Sequence, residues 1–102
     1  ARKGARTLEQ LRGLQEKHAL IGEVRGLGLM IGVELVRDRQ TKEPATAEAA
    51  KVRAFCRERG LLVGVGGQAG NVVDLQPPLV ISEDALDEAV RILDEALERV
   101  AA

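Results

Sequence analysis

An acid stands inside an apolar run at Asp74, directly after a turn built from Gly66, Gly67 and Gly70. Alternation along a strand allows two readings of about equal weight: a solvent-facing carboxylate, or a contact in a binding cleft. The turn itself, with Gly64 just before it, invites a phosphate loop. A dinucleotide or phosphate loop must open into a helix whose N-terminus meets the anion. Here Val72-Val73-Asp74-Leu75 follows and reads as a strand, and no Gly-Lys-Ser/Thr closes the loop. Glu34 and Arg25 repeat the ambiguity of Asp74 on an earlier apolar segment, each either facing solvent or edging a cleft.

The other reactive side chains are isolated. His18 is the only histidine, near the end of a helical segment, where a capping or solvent-facing role is expected. One histidine and one distant cysteine supply too few ligands for zinc, so no metal site is expected. Cys56 has Arg53, Arg57 and Arg59 nearby, and cations lower a thiol pKa. No histidine adjoins it as a base, so Cys56 is expected to be a packing residue.

Composition narrows the field further. The 102 residues suffice for one small domain with one core. At 45% hydrophobic and 30% charged, the chain has an ordinary globular balance. Phe55 is the only aromatic residue, so the core is aliphatic and offers no stacking platform for bases. A net charge of −1 with interleaved signs gives no case for a nucleic-acid or membrane-surface partner. No apolar run approaches the roughly 20 residues that span a bilayer, and no stretch reads as a signal peptide. A single cysteine excludes an internal disulfide and suits a reducing cytosol, so a cytoplasmic location is expected. The chain opens at Ala1, through trimming of a start or excision from a longer protein.

These residues need elements to position them. Residues 2–18 read as a helix with Ala5, Leu8, Leu11 and Leu14 on one narrow face. Residues 21–24 and 29–36 read as strands of an antiparallel hairpin, with Gly26 and Gly28 flanking its bend. In the second strand Leu29, Ile31, Val33 and Leu35 point one way, and Met30, Gly32, Glu34 and Val36 the other. Residues 37–44 read as an exposed loop. Residues 45–59 read as a helix with Ala47, Ala50, Ala54 and Phe55 on its apolar face and Gly60 as its stop. Strands follow at 61–65 and 72–75, the second resuming at 79–81 beyond Pro77-Pro78. Ser82 caps a last helix, with Glu83 and Asp84 in its first turn and a stripe of Leu86, Ala89, Val90, Leu93, Leu97 and Val100. The predicted class is α/β, of two-layer α+β type. A small antiparallel or mixed sheet of 3–4 strands carries helices on one face.

In this order and spacing the chain resembles the C-terminal small domain of class-III pyridoxal-phosphate aminotransferases. The resemblance rests on VRGLGLMIGVEL (24–35), Thr41-Lys42-Glu43-Pro44, GLLVGVGGQAGNVVDLQPPLVIS (60–82) and the closing Glu83-Asp84-x-Leu86-Asp87 helix. Gly66-Gly67 with Gly70-Asn71 is most similar to the alanine–glyoxylate and 4-aminobutyrate branch.

The resemblance implies that residues 1–102 are one domain of a longer enzyme, usually a homodimer. That enzyme moves an amino group between an amino acid or amine and a 2-oxo acid. It implies pyridoxal 5'-phosphate held by a lysine of a large domain. Lys3, Lys17, Lys42 and Lys51 do not resemble that lysine, so the domain alone is expected to be inactive. Many relatives grip the substrate carboxylate with an arginine at the position of Asp74. Asp74 is therefore the candidate substrate-binding residue, and its charge would repel a carboxylate. The expected consequence is a preference for amines or cationic donors, or a carboxylate-binding arginine supplied from another segment. A free-standing α/β module that binds a small ligand without catalysis is the alternative, and the sequence upstream of Ala1 discriminates between the two.

Overall fold

The computed structural model describes residues 2–27, 30–61, 63–75 and 83–101. Along the chain run α1 (Arg2–Lys17), β1 (Ile21–Leu27), β2 (Met30–Asp38), β3 (Glu43–Pro44), α2 (Thr46–Glu58), β4 (Gly64–Gly66), β5 (Val72–Leu75) and α3 (Glu83–Ala101). Among the described residues the sheet has five strands in the order β1-β2-β5-β4, with the short β3 paired to β2. Every pairing is antiparallel.

The predicted α+β class, antiparallel pairing and helix order agree with the structure. The sheet exceeds the predicted strand count through β3, which forms inside the expected loop 37–44 because Val36 pairs with Pro44 and Asp38 with Glu43. The hairpin is longer than predicted. Gly26 lies within β1 opposite Ile31, and its predicted partner at the bend, Gly28, falls outside the described residues. A bulge between Ile21 and Glu23 restores the alternation of β1. The predicted strand 61–65 contracts to Gly64–Gly66. The predicted extension at 79–81 and the Ser82 cap lie outside the described residues.

One buried layer sits between sheet and helices. Val24, Val33 and Val73 form a cross-strand row on that side, extended by the half-buried Val65. Beside this row, Ile31, Leu35 and Leu75 join Leu11 of α1, Val52 of α2 and Leu93 of α3 in one apolar cluster. The β-branched row suits a pleated sheet, and the leucines fill the wider gap to the helices. The stripe predicted for α3 is buried as expected at Leu86, Ala89, Val90, Leu93 and Leu97, and Ile92 and Ala96 join it.

The face predicted for α2 is corrected. Ala47, Ala50 and Ala54 are exposed, and the helix buries Ala49, Val52 and Cys56 instead. Alanine carries too little apolar area to orient a helix, so the larger Val52 and Cys56 decide the face. Phe55 is only partly buried and packs beneath the guanidinium groups of Arg59 and Arg99, 4.7 and 5.6 Å from its ring centre.

His18 is corrected as well. It is 6% exposed rather than solvent-facing, and its Nε2 lies 2.6 Å from Asp94 Oδ1 on α3. Lys17 Nζ reaches the other oxygen of that carboxylate at 3.0 Å. Burial alone would raise the Asp94 carboxyl, but these two hydrogen bonds outweigh it and hold the group below the usual carboxylate range. The contact pins the end of α1 to α3. Arg39 closes the same corner by donating to the carbonyls of Gln15, His18 and Ile21.

Candidate functional site

The sheet face away from the helices carries the polar residues that interrupt the apolar strands. Side chains alternate, so the residues flanking the buried valine row point to this opposite face. One such row runs Arg25, Gly32, Asp74, Gly64 across β1, β2, β5 and β4. The next runs Glu23, Glu34, Val72, Gly66 across the same strands. Asp74, Glu34 and Arg25, each ambiguous in sequence, are thus brought onto one surface.

Their environments differ. Arg25 donates to Glu23 at 3.1 Å and to Glu34 at 3.5 Å, so its guanidinium is engaged within its own corner of the face. Asp74 is half-buried, and its carboxylate makes no hydrogen bond or ion pair with another described residue. Glycines surround it. A Cβ at Gly66 would stand 3.3 Å from Asp74 Oδ2, one at Gly64 3.6 Å from the same oxygen, and one at Gly32 3.8 Å from Oδ1. The missing side chains leave a shallow trough with a single carboxylate in it.

The turn before β5 is held by a residue whose part was not legible in sequence. Asn71 is buried, and its Nδ2 donates to the Leu35 carbonyl at 2.9 Å. The backbone amide of Leu35 donates in return to the Asn71 carbonyl at 2.8 Å. These bonds fix where β5 begins against β2, and hence which β2 residue lies opposite Asp74. Gly67 and Gly70, with φ of 81° and 66°, supply left-handed conformations in the turn. A Cβ at Gly67 would also strike Val72 Cγ2 at 2.9 Å. Thr46, the first residue of α2, donates to the Ala69 carbonyl at 2.6 Å and ties the turn to the helix layer.

The turn feeds strand β5 rather than a helix, so it lacks the strand–loop–helix order of a phosphate loop. Among the described residues, no three His, Cys, Asp or Glu side chains are grouped to hold a metal ion. No helix among them is long and apolar enough to cross a membrane.

Cys56 is fully buried, and burial pushes its thiol up to about 11. The neighbouring arginines do not offset this, which agrees with a packing role. A raised pKa removes thiolate at neutral and mildly alkaline pH. With thiolate falling tenfold per unit, a thiol reagent at pH 8 is expected to label Cys56 roughly 100-fold more slowly in the folded protein than in urea. Equal rates in the two states would refute the burial.

The described residues do not fit a covalent pyridoxal-phosphate site. Lys17 is paired with Asp94. Lys42 lies exposed in the turn after β2, and Lys51 lies on the exposed side of α2. None of these three shares the face of Asp74.

Comparison with known proteins gives these features a context. Residues 1–97 match the family model described as aminotransferase class-III. A curated relative from Arabidopsis thaliana, alanine–glyoxylate aminotransferase 2 homolog 2, mitochondrial, is 45% identical over 97 residues, which cover 95% of this chain and 20% of the relative. A crystal structure of a Bacillus anthracis aminotransferase superposes with a TM-score of 0.90 at 40% identity, over 97% of this chain and 23% of that one. An amine transaminase from an uncultivated Pseudomonas species, solved in its pyridoxal-phosphate-bound form, superposes with a TM-score of 0.85 at 39% identity, over 98% of this chain and 22% of that one. The strand order, the glycine turn and the helices are therefore those of the small domain of such enzymes, and the chain belongs to the class-III aminotransferase family.

Proposed function

We infer that residues 1–102 are the C-terminal, substrate-facing domain of a pyridoxal-phosphate-dependent transaminase. The enzyme transfers an amino group between an amino acid or amine and a 2-oxo acid. The observation that carries this is the family match over residues 1–97, in a chain that spans 20% of the length of its Arabidopsis relative. The remainder of the enzyme is a large domain that supplies the cofactor lysine, since Lys17, Lys42 and Lys51 are paired or remote from the sheet face. The domain alone is inactive. Its enzyme works as a homodimer on small-molecule substrates in the cytoplasm, where a buried free thiol such as Cys56 persists. Within the family it belongs with the alanine–glyoxylate and 4-aminobutyrate branch. Asp74 is the residue of this domain that meets the substrate.

When bound, the cofactor supplies the electron sink for the amino-group exchange. This domain contributes the wall against which the substrate lies. The register held by Asn71 sets the position of Asp74 on that wall, and the flanking glycines keep it open.

The test is amino transfer by the enzyme containing this domain, supplied with an amine or amino acid and a 2-oxo acid such as pyruvate. The expected result is a new amino acid formed in step with loss of the donor. After borohydride reduction, no cofactor is expected on Lys3, Lys17, Lys42 or Lys51. Cofactor found on any of these lysines would refute the division of labour, and absence of transfer with every donor would refute the activity.

A further inference from the structure

The trough around Asp74 suits a positive charge, and the distribution of charge on its face says which kind. In the two outward rows Arg25 is the only cation, against the carboxylates of Glu23, Glu34 and Asp74. Arg25 is bonded to the first two. Its backbone lies two strands from Asp74, about 10 Å away at ordinary strand spacing. The charge of Asp74 is thus left without a partner among the described residues, in a half-buried position where an ion pair is screened less than at an open surface.

Shape narrows the ligand further. Gly32 and Gly64 flank Asp74 in its own row, and Gly66 stands beside its Oδ2. Side chains at those places would hydrogen-bond or cover the carboxylate. Their absence leaves room for a compact group to approach it directly.

We propose that Asp74 and its surrounding glycines form a seat for a second, distal ammonium group of the amino donor, so that the enzyme takes diamines or other donors with a cationic tail in preference to monoamines of equal length. This rests on the transaminase reading and deepens it. Repulsion of carboxylates alone would favour all amines equally, whereas a seat distinguishes diamine from monoamine. No covalent step is involved; the distal ammonium donates to the carboxylate and leaves unchanged with the product.

The test uses the enzyme containing this domain with an α,ω-diamine and the n-alkyl monoamine of the same chain length, and compares kcat/KM. The wild type is expected to favour the diamine. Charge-assisted hydrogen bonds contribute about 1.5–3 kcal/mol, so Asp74→Asn is expected to lower kcat/KM for the diamine roughly 10–150-fold. The diamine-to-monoamine ratio is the readout. An unchanged urea midpoint and cofactor absorbance show that the variant is folded and loaded, and Glu23→Gln, exposed in the neighbouring row, is the control expected to leave the ratio within about twofold. Gly66→Ala retains the charge and fills the trough, and it is expected to reduce the diamine preference as well. A diamine-to-monoamine ratio left unchanged by Asp74→Asn overturns the seat while the transaminase reading stands. Absence of turnover with every amine, amino acid and 2-oxo acid overturns both.

Discussion

Leu93→Ala is expected to lower the stability of the protein by about 2–5 kcal/mol, far more than the loss of any surface ion pair. Leu93 is completely buried in the middle of α3. It belongs to the cluster that joins α3 to Leu11, Val52, Val33 and Val73, so its removal opens a cavity where sheet and helix layers meet. The aliphatic core has no aromatic side chain large enough to collapse into that space, because the lone Phe55 lies at its edge beneath arginines. Domains of this size have stabilities of about 5–15 kcal/mol, so the loss is a large fraction of the total. Urea unfolding should report it as a lower midpoint with the denaturant dependence retained. Arg91→Ala on the exposed side of the same helix removes only surface ion pairs to Glu88 and Glu95, and is expected to change stability by less than about 1 kcal/mol. A Leu93→Ala cost as small as that of Arg91→Ala would contradict the packing of α3.

The second large effect is on specificity. In the proposed enzyme, Asp74→Arg is expected to shift the kcat/KM ratio of α-amino acids to amines toward the amino acids by roughly 10²–10⁴-fold. Two terms combine. The repulsive carboxylate is removed, and a guanidinium that binds carboxylate through two parallel hydrogen bonds replaces it. Each is of the size of a charge-assisted hydrogen bond, about 1.5–3 kcal/mol, and tenfold corresponds to about 1.4 kcal/mol. Gly32 and Gly64 on either side leave room for the longer side chain. Glu23→Arg makes the same charge change on the same face at an exposed position in the neighbouring row. It should leave the ratio within a fewfold. An Asp74→Arg enzyme with an unchanged ratio would show that the carboxylate does not meet the substrate.

Much of this architecture was legible in local chemistry. The alternation of Ile31, Val33 and Leu35 and the stripe of Leu86, Val90, Leu93 and Leu97 are buried as their periods imply. Gly60, with φ of 83°, ends the α2 region as a left-handed stop. Where sequence and structure differ, the physical causes are equally specific. On α2, alanines occur on several sides, so period alone did not choose between Ala47, Ala50, Ala54 and the buried Ala49, Val52, Cys56. The burial of His18 was not legible because Asp94, its partner, lies 76 residues away.

The candidate site divides along the same line. Sequence alone determined that Asp74 breaks an apolar strand after a glycine turn, that it points away from Val73, and that no second histidine or cysteine is present to build a metal or nucleophile site. These follow from residue type and the two-residue period of a strand. Tertiary structure decided which side the helices cover, and that Gly32 and Gly64 are the cross-strand neighbours of Asp74. It also decided that Arg25 is held by Glu23 and Glu34. Register between strands some forty residues apart is set by packing of the whole valine row and by the buried Asn71 bond to Leu35, and no local stretch of the chain contains that information.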